Sequence, residues 1–425
     1  ISANDTKFKI FNESVEDETK RFVKHSPLVS LLLMSLGPLS NLVSAVLSTV
    51  EMLFITKRFN QIPNSYATEI LGFSNQYQTL TSLAGIFFSQ CFVTRVSSLI
   101  GMGDREEAAH LTSDIFRFTF VFSWITMIPL YFIIKPILIF VGTPDEMMTK
   151  AFNYNFFMLL FVPFSNLFVS VQSYFQSIGK GIFMAIIVTI SSVVQTFILS
   201  PFILFVCKAS TTLMKLSKAI VDIIFSFLLL GLIYSGKFSL KPSIKQFFSF
   251  KFSKSIWKSL LYPLPIVFGF LGAIIPPMLV LSCLTSQNQD PTIRNAIGTV
   301  FAVFTELYSV CHALPSAIAV GFLTTGNHSY GSKNFTRFKK IMIWALIISI
   351  GMGILFSFIF SVFNKSIAAM FIDDDETLAV SNKLLPIPFY TSFQQSFNIV
   401  IYSILLILKK PLLSVIPSVS QIVIL

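Results

Sequence analysis

Long apolar runs recur along this chain, and they constrain its fold more than any other feature. Ten complete candidate spans lie near residues 27–56, 66–99, 110–141, 151–178, 181–207, 212–234, 255–285, 294–326, 338–363 and 378–408, and a partial one at 411–425. A bilayer core about 30 Å thick needs roughly 20 apolar residues of α-helix at about 1.5 Å per residue. The ten spans meet that length. The last covers only roughly 22 Å, so it reads as a helix that the sequence leaves incomplete. Hydrophobic residues make up 54% of the chain and charged residues 12%. Ordinary soluble domains carry about 25% charged residues. Intrinsic disorder and a soluble multi-domain enzyme are thereby excluded, and an all-α polytopic membrane protein of about eleven spans is expected.

The formal net charge of +11 does not point to nucleic acid, because the basic residues sit in short loops between apolar spans. With the first span starting inside, the alternate loops hold 19 Lys and Arg, including five in residues 1–26 and a run from Lys237 to Lys258. That excess predicts a cytoplasmic N-terminal tail, 1–26. The tail is polar and lacks the apolar core of a signal peptide. Cys91, Cys207, Cys283 and Cys311 lie in or beside apolar spans, with no spacing that suggests disulfides or zinc.

The basic stretch 235–254 follows the sixth span and divides the chain into a six-helix bundle, 27–234, and an incomplete second bundle, 255–425. At a fixed offset of 230 residues, Phe92-Val93-Thr94 falls on Phe322-Leu323-Thr324 and Gly101 on Gly331. At the same offset Asp145-Glu146 falls on Asp375-Glu376 and Lys180 on Lys410. The constant spacing of landmarks, rather than residue identity, carries the repeat. Six spans separate the halves, so both start on the same side. Two pseudo-symmetric bundles related by an axis along the membrane normal are a common transporter plan.

Ionisable groups inside a span are costly and are candidate functional sites. Glu51 lies two-thirds through the first span and Glu306 midway through the eighth. Each suits a carboxylate that exchanges a proton for a cation. Glu51 has a structural alternative, pairing with Lys57 or Arg58, and Glu306 has one as a packed, protonated acid. Asp222, four residues after Lys218, reads first as a helical ion pair and second as a coupling acid. Glu69, opening the second span, is either a supporting acid or a hydrated helix start. Asp114 and Arg117 suggest a salt bridge or gate, Arg95 a snorkelling side chain, and His312 a satisfied core histidine. Asn75, Gln76, Tyr308, Gln394, Gln395 and Asn398 are candidates for a polar cavity wall.

Other chemistry finds no support in the sequence. Gly101-Met102-Gly103-Asp104 has no following Gly-Lys-Ser/Thr and no preceding strand, so it is not read as a nucleotide loop. Neither a metal-ligand His pair nor a nucleophile constellation stands out. An enzyme is therefore not expected, nor a cofactor beyond a coupling H+ or Na+.

Residues 92–117, FVTRVSSLIGMGDREEAAHLTSDIFR, resemble the second-to-third helix junction of the multidrug and toxic compound extrusion (MATE) family. Segment 136–181, ending Gln172-Ser173-Tyr174-Phe175-Gln176-Ser177-Ile178-Gly179-Lys180, is similar to a later junction of that family. Leu314-Pro315 and Gly321 through Gly331-Ser332-Lys333-Asn334 resemble the corresponding junction of the second half. The likeness covers roughly residues 27–425. It implies twelve helices in two bundles around a central cavity. It further implies proton- or sodium-driven export of small organic, often cationic, compounds by a monomer in the lipid bilayer. Glu51 then matches the family's acid in helix one, Pro38 its helix-one proline, and Pro265 the counterpart in helix seven. Two departures stand out: spans 255–285 and 378–408 contain no acid, which leaves Glu306 to serve the second bundle. A lipid-linked oligosaccharide flippase of related fold and a membrane receptor or scaffold without transport are the alternatives.

Overall fold

The computed structural model describes residues 22, 24–59, 61–62, 65–249, 252, 254–287, 290–372, 374–386, 389, 392–410 and 413–417. Among these residues all regular structure is helical. The long helices are α1 (Pro27–Phe59), α2 (Ala67–Met102), α3 (Arg105–Phe140), α4 (Asp145–Leu159), α5 (Val162–Ser177), α6 (Gly181–Val206) and α7 (Thr211–Tyr234). They continue with α8 (Leu264–Gln287), α9 (Pro291–Gly331), α10 (Phe335–Val362), α11 (Asp375–Leu384) and α12 (Ser392–Ile407). Seven helices among the described residues are long and apolar enough to cross a membrane, and α4 with α5, bent by 50° at their break, meets the same length and composition only as a pair.

The spans read from the sequence correspond to these helices, with three differences. The fourth is broken at Leu160–Phe161, where Pro163 opens the second piece. Pro fits the first turn of a helix but not its interior. The tenth, 378–408, is two helices rather than one. Pro386 and Pro388 lie between α11 and α12, and proline removes an amide donor and disfavours helix in the residue before it. The seventh starts at Leu264, after a separate short helix, Lys254–Ser259. Most of the tail 1–26 and of the partial span 411–425 lies outside the described residues, as does Asp373.

The internal repeat reappears as matched helix caps. Asp104 accepts the Glu107 amide at 3.2 Å and caps α3. Asn334, 230 positions later, accepts the Arg337 amide at 3.1 Å and caps α10. Just before each cap the backbone turns left-handed, at Gly103 (φ 85°) and Lys333 (φ 59°). Such a residue ends a helix by letting following amides reach its last carbonyls. Asp145-Glu146 and Asp375-Glu376 likewise open α4 and α11, where acids complement the helix dipole.

Helices approach closely at glycine. A Cβ at Gly37 of α1 would stand 2.8 Å from Gly181 Cα of α6. One at Gly298 of α9 would stand 2.7 Å from the Phe73 ring of α2, and one at Gly331 would stand 2.8 Å from Ser98 O. Small residues permit this because helices in lipid associate mainly through tight packing. The basic linker is also anchored. Within it Ile244–Phe247 is helical, Arg117 donates to Gln246 O at 3.3 Å, and Tyr174 donates to Leu240 O at 3.0 Å. Arg337 ties the start of α10 to the first turn of α1 and the segment before it by donating to Phe22 O, His25 O and Ser30 Oγ.

Candidate functional site

Glu51 and Glu306 are placed by helices from different parts of the chain, α1 and α9. Glu51 is fully buried on α1. Facing it, α6 departs from the α-helical pattern: Val194–Leu199 and Phe202–Val206 form wider π-helical turns on either side of Pro201. Such turns shift the side chains that follow and recur at functional sites. Here they present Gln195 and Ser200 to Glu51. Gln195 Nε2 donates to Glu51 Oε2 at 3.1 Å, and Ser200 donates to Oε1.

The start of α7 completes the shell. Ser217 donates to Glu51 Oε1 at 2.7 Å, and Lys215 Nζ lies 3.0 Å from Oε2. Lys215 is itself buried, with 9% exposure. A carboxylate this deep requires a countercharge and several donors, and this one has four polar neighbours including an ammonium. One turn further along α7, Asp222 accepts from Lys218 Nζ at 2.6 Å and from Ser165.

Glu51, Asp222, Lys215 and Lys218 line one chamber of about 450 Å³, and Glu306 reaches it from α9. Asn75 of α2 also lines it. A second chamber, of about 460 Å³, lies toward the start of α1 and is bounded by Gly37, Gln90, Gln176, His312, Asn398 and Tyr402, among others. The two share Asn41, Val169 and Gln172. A charged chamber and a chamber of amides and hydroxyls therefore meet within one bundle of helices.

The sequence candidates divide accordingly. Glu51, Glu306, Asp222 and Asn75 face the charged chamber, and Gln395 and Asn398 face the other. Tyr308 donates to Gln395 and its ring lies 4.1 Å from that of His312. Gln76 is buried, Gln394 half-buried, and neither lines a chamber. Glu69 is half-buried in the first turn of α2 and also lies outside both.

Two local readings change. Glu51 pairs with Lys215 instead of Lys57 or Arg58, and Arg58 Nε donates to Leu204 O at 3.1 Å. His312 is not fully satisfied, since its Nε2 is buried without a hydrogen-bond partner. Arg95 lies 3.6 Å from Glu107. Asp114 and Arg117 form a buried 2.8 Å pair, with the guanidinium 3.8 Å over the Phe252 ring.

Lys215, Ser217, Gln195 and Ser200 were not legible as site residues. Lys215 looks like a loop charge at the edge of a span, and its partner is 164 positions away. Pro201, inside an otherwise apolar run, was the signal that the helix wall changes there.

The MatE family model matches residues 39–202 and 298–425. No curated protein matches the chain. Among solved structures, an outward-facing multidrug resistance MATE family transporter of the MOP superfamily superposes with a TM-score of 0.77 at 12% identity, covering 97% of this chain and 88% of that one. A point mutant of the MATE transporter VcmN from Vibrio cholerae gives 0.74 at 15% identity, covering 92% and 86%. A MOP superfamily transporter from Pyrococcus furiosus gives 0.74 at 12% identity, covering 98% and 97%. At these identities the structural likeness is one of fold.

Proposed function

The chain belongs to the MatE family, an integral multi-pass transporter by that membership, and from this premise we propose that it is a secondary active antiporter. It exports small organic, often cationic, compounds in exchange for protons or sodium. The observation that carries this reading is the buried Glu51 carboxylate held against Lys215 on the wall of a chamber that also presents Glu306 and Asp222.

The ammonium of Lys215 is a tethered cation already seated on the carboxylate. A proton added to Glu51, or a sodium ion bound beside it, competes with that ammonium. Displaced, Lys215 has a second carboxylate in the same chamber, Glu306. Two charge arrangements follow, and a ligand that favours one shifts the population toward it. In this reading the bundles 27–234 and 255–425, joined by the linker 235–254, rock about the shared cavity, with the N-terminal tail on the cytoplasmic side. The transporter acts as a monomer in the bilayer. A cationic substrate competes for the same carboxylates and packs on nearby rings.

The flippase alternative calls for a basic, phosphate-binding cavity. Lys215 and Lys218 are instead each engaged by a carboxylate, so the charged chamber favours a cation. The test is export of a fluorescent organic cation from vesicles holding the protein under an imposed pH or sodium gradient. Gradient-driven export that disappears in Glu51→Gln or Glu306→Gln is expected. Export that persists in both variants refutes the coupling assignment, and none under either gradient refutes the antiporter.

A further inference from the structure

The chain just before α1 touches both bundles, and a single aromatic ring makes the bridge. Phe22 belongs to a polar stretch outside the first apolar span, yet it is only 3% exposed. Its ring stacks on the imidazole of His328, in the last turn of α9, with centroids 4.3 Å apart and planes 8° from parallel. The same ring covers Gly179, the left-handed turn (φ 74°) between α5 and α6, where a Cβ would stand 3.0 Å from the ring atoms. Only glycine leaves room there for the ring. Arg337 of α10 fixes the backbone alongside, donating to Phe22 O at 2.7 Å, to His25 O at 3.0 Å and to Ser30 Oγ at 2.6 Å. A guanidinium is suited to this, since it carries several donors on one rigid plane.

At the same end the bundles meet. A Cβ at Gly101 of α2 would stand 2.7 Å from His328 O, and one at Gly331 of α9 would stand 2.8 Å from Ser98 O. Gln176 of α5 donates to Thr324 of α9 at 3.2 Å. Pro27 starts α1 directly after this segment, so the chain joins Phe22 and His25 to the first bundle while His328 and Arg337 join them to the second. We propose that Phe22 and the backbone up to His25 form a latch that holds the bundles closed at this end, and that the latch is released before the cavity opens there. A contact made in one state alone raises the population of that state. The buried ring makes that contact substantial. Lys24 beside it is exposed and the segment precedes every long helix, so release is a local opening that leaves the helices intact.

The latch rests on the rocking motion of the antiporter reading and not on its coupling ion or substrate, so opening and export are measured separately. The full chain, with its four cysteines replaced by alanine, carries Thr324→Cys at a buried position that faces Gln176 of the other bundle. Its rate of modification by N-ethylmaleimide in lipid nanodiscs reports how often the bundles part at this end. Phe22→Ala should raise that rate about tenfold or more, the shift expected on losing a buried ring. Arg337→Gln should raise it at least about threefold. Ala296→Cys, buried near the opposite end of α9, is the control and should label no faster in either variant. Equal labelling of Thr324→Cys with and without the latch substitutions overturns the proposal, and so does a rise at both positions, which marks general loosening. Should Phe22→Ala fail to fold, Arg337→Gln decides. Faster labelling at Thr324→Cys alone, with no gradient-driven export by the wild type, supports the latch and defeats the antiporter. Unchanged labelling with export intact does the reverse.

Discussion

Lys215 Nζ lies 3.0 Å from Glu51 Oε2, so two residues 164 positions apart share one buried charge pair. Removing one member of a buried pair leaves the other uncompensated, at a cost of about 3–5 kcal/mol. Lys215→Met should therefore destabilise the protein by that order at neutral pH. The double variant Glu51→Gln/Lys215→Met should recover much of the loss. Unfolding of the four proteins of this cycle in detergent checks it, and additive losses would contradict a direct pair.

The pair of Lys218 with Asp222 matches that of Lys215 with Glu51 in chemistry and differs in solvent exposure. The Lys218 side chain is 48% exposed, so its ammonium stays partly solvated. Exposed ion pairs contribute about 0–1 kcal/mol. Asp222 is itself buried, so Lys218→Ala should cost more than the ~1 kcal/mol of an exposed pair and less than Lys215→Met, and the loss should shrink as salt is raised. The same unfolding assay at low and high salt measures both.

Gly298 gives α9 its close approach to Phe73 on α2. Gly298→Val would force the helices apart, and overpacking typically costs about 1–3 kcal/mol. Gly351 on α10 has open space where a Cβ would stand and is the control. Gly351→Ala should be neutral or stabilising, because alanine favours helix over glycine by about 1 kcal/mol. Thermal unfolding of both variants decides, and a Gly298→Val protein as stable as wild type would mean that the contact yields.

Asp374 caps α11 by accepting the Thr377 amide and hydroxyl, and the amide bond above all holds its carboxyl below the usual carboxylate range. A depressed folded value means that ionised Asp374 stabilises the native state above the ordinary aspartate pKa of about 3.9. That contribution is lost as pH falls through the lower folded value. The difference in unfolding temperature between wild type and Asp374→Ala should be full at pH 6 and narrow progressively in the acid range below pH 4. A difference independent of pH would show that the charge has no part in the cap.

The spans were legible because membrane helices are long and uniformly apolar, and the repeat because caps and turns need particular residues at Gly103-Asp104 and Lys333-Asn334. Breaks were harder to read. Pro163 and Pro386 sit inside apolar runs whose hydropathy continues across them. Glu51 and Glu306 stood out because a charge among apolar residues is conspicuous at any position. Their surroundings did not, since Gln195, Ser200 and Ser217 are ordinary polar residues that acquire meaning only when α1, α6 and α7 meet. Of the residues singled out as polar-wall candidates, Gln395 and Asn398 line the amide chamber, and its other walls include residues of α1, α2, α5, α6 and α9.

The wide turns of α6 make its sequence length a variable of its chemistry. Each residue of a regular helix advances the direction of its side chain by about 100°. A single deletion within Val194–Leu199 would close the wide turn and leave the later residues in phase, whereas one within the regular stretch Gly181–Val193 would turn every later residue by about 100°. Ser200 would then point away from Glu51 although no atom of the carboxylate's own helix had changed. In this protein the setting of a charge on one helix is a matter of counting residues on another.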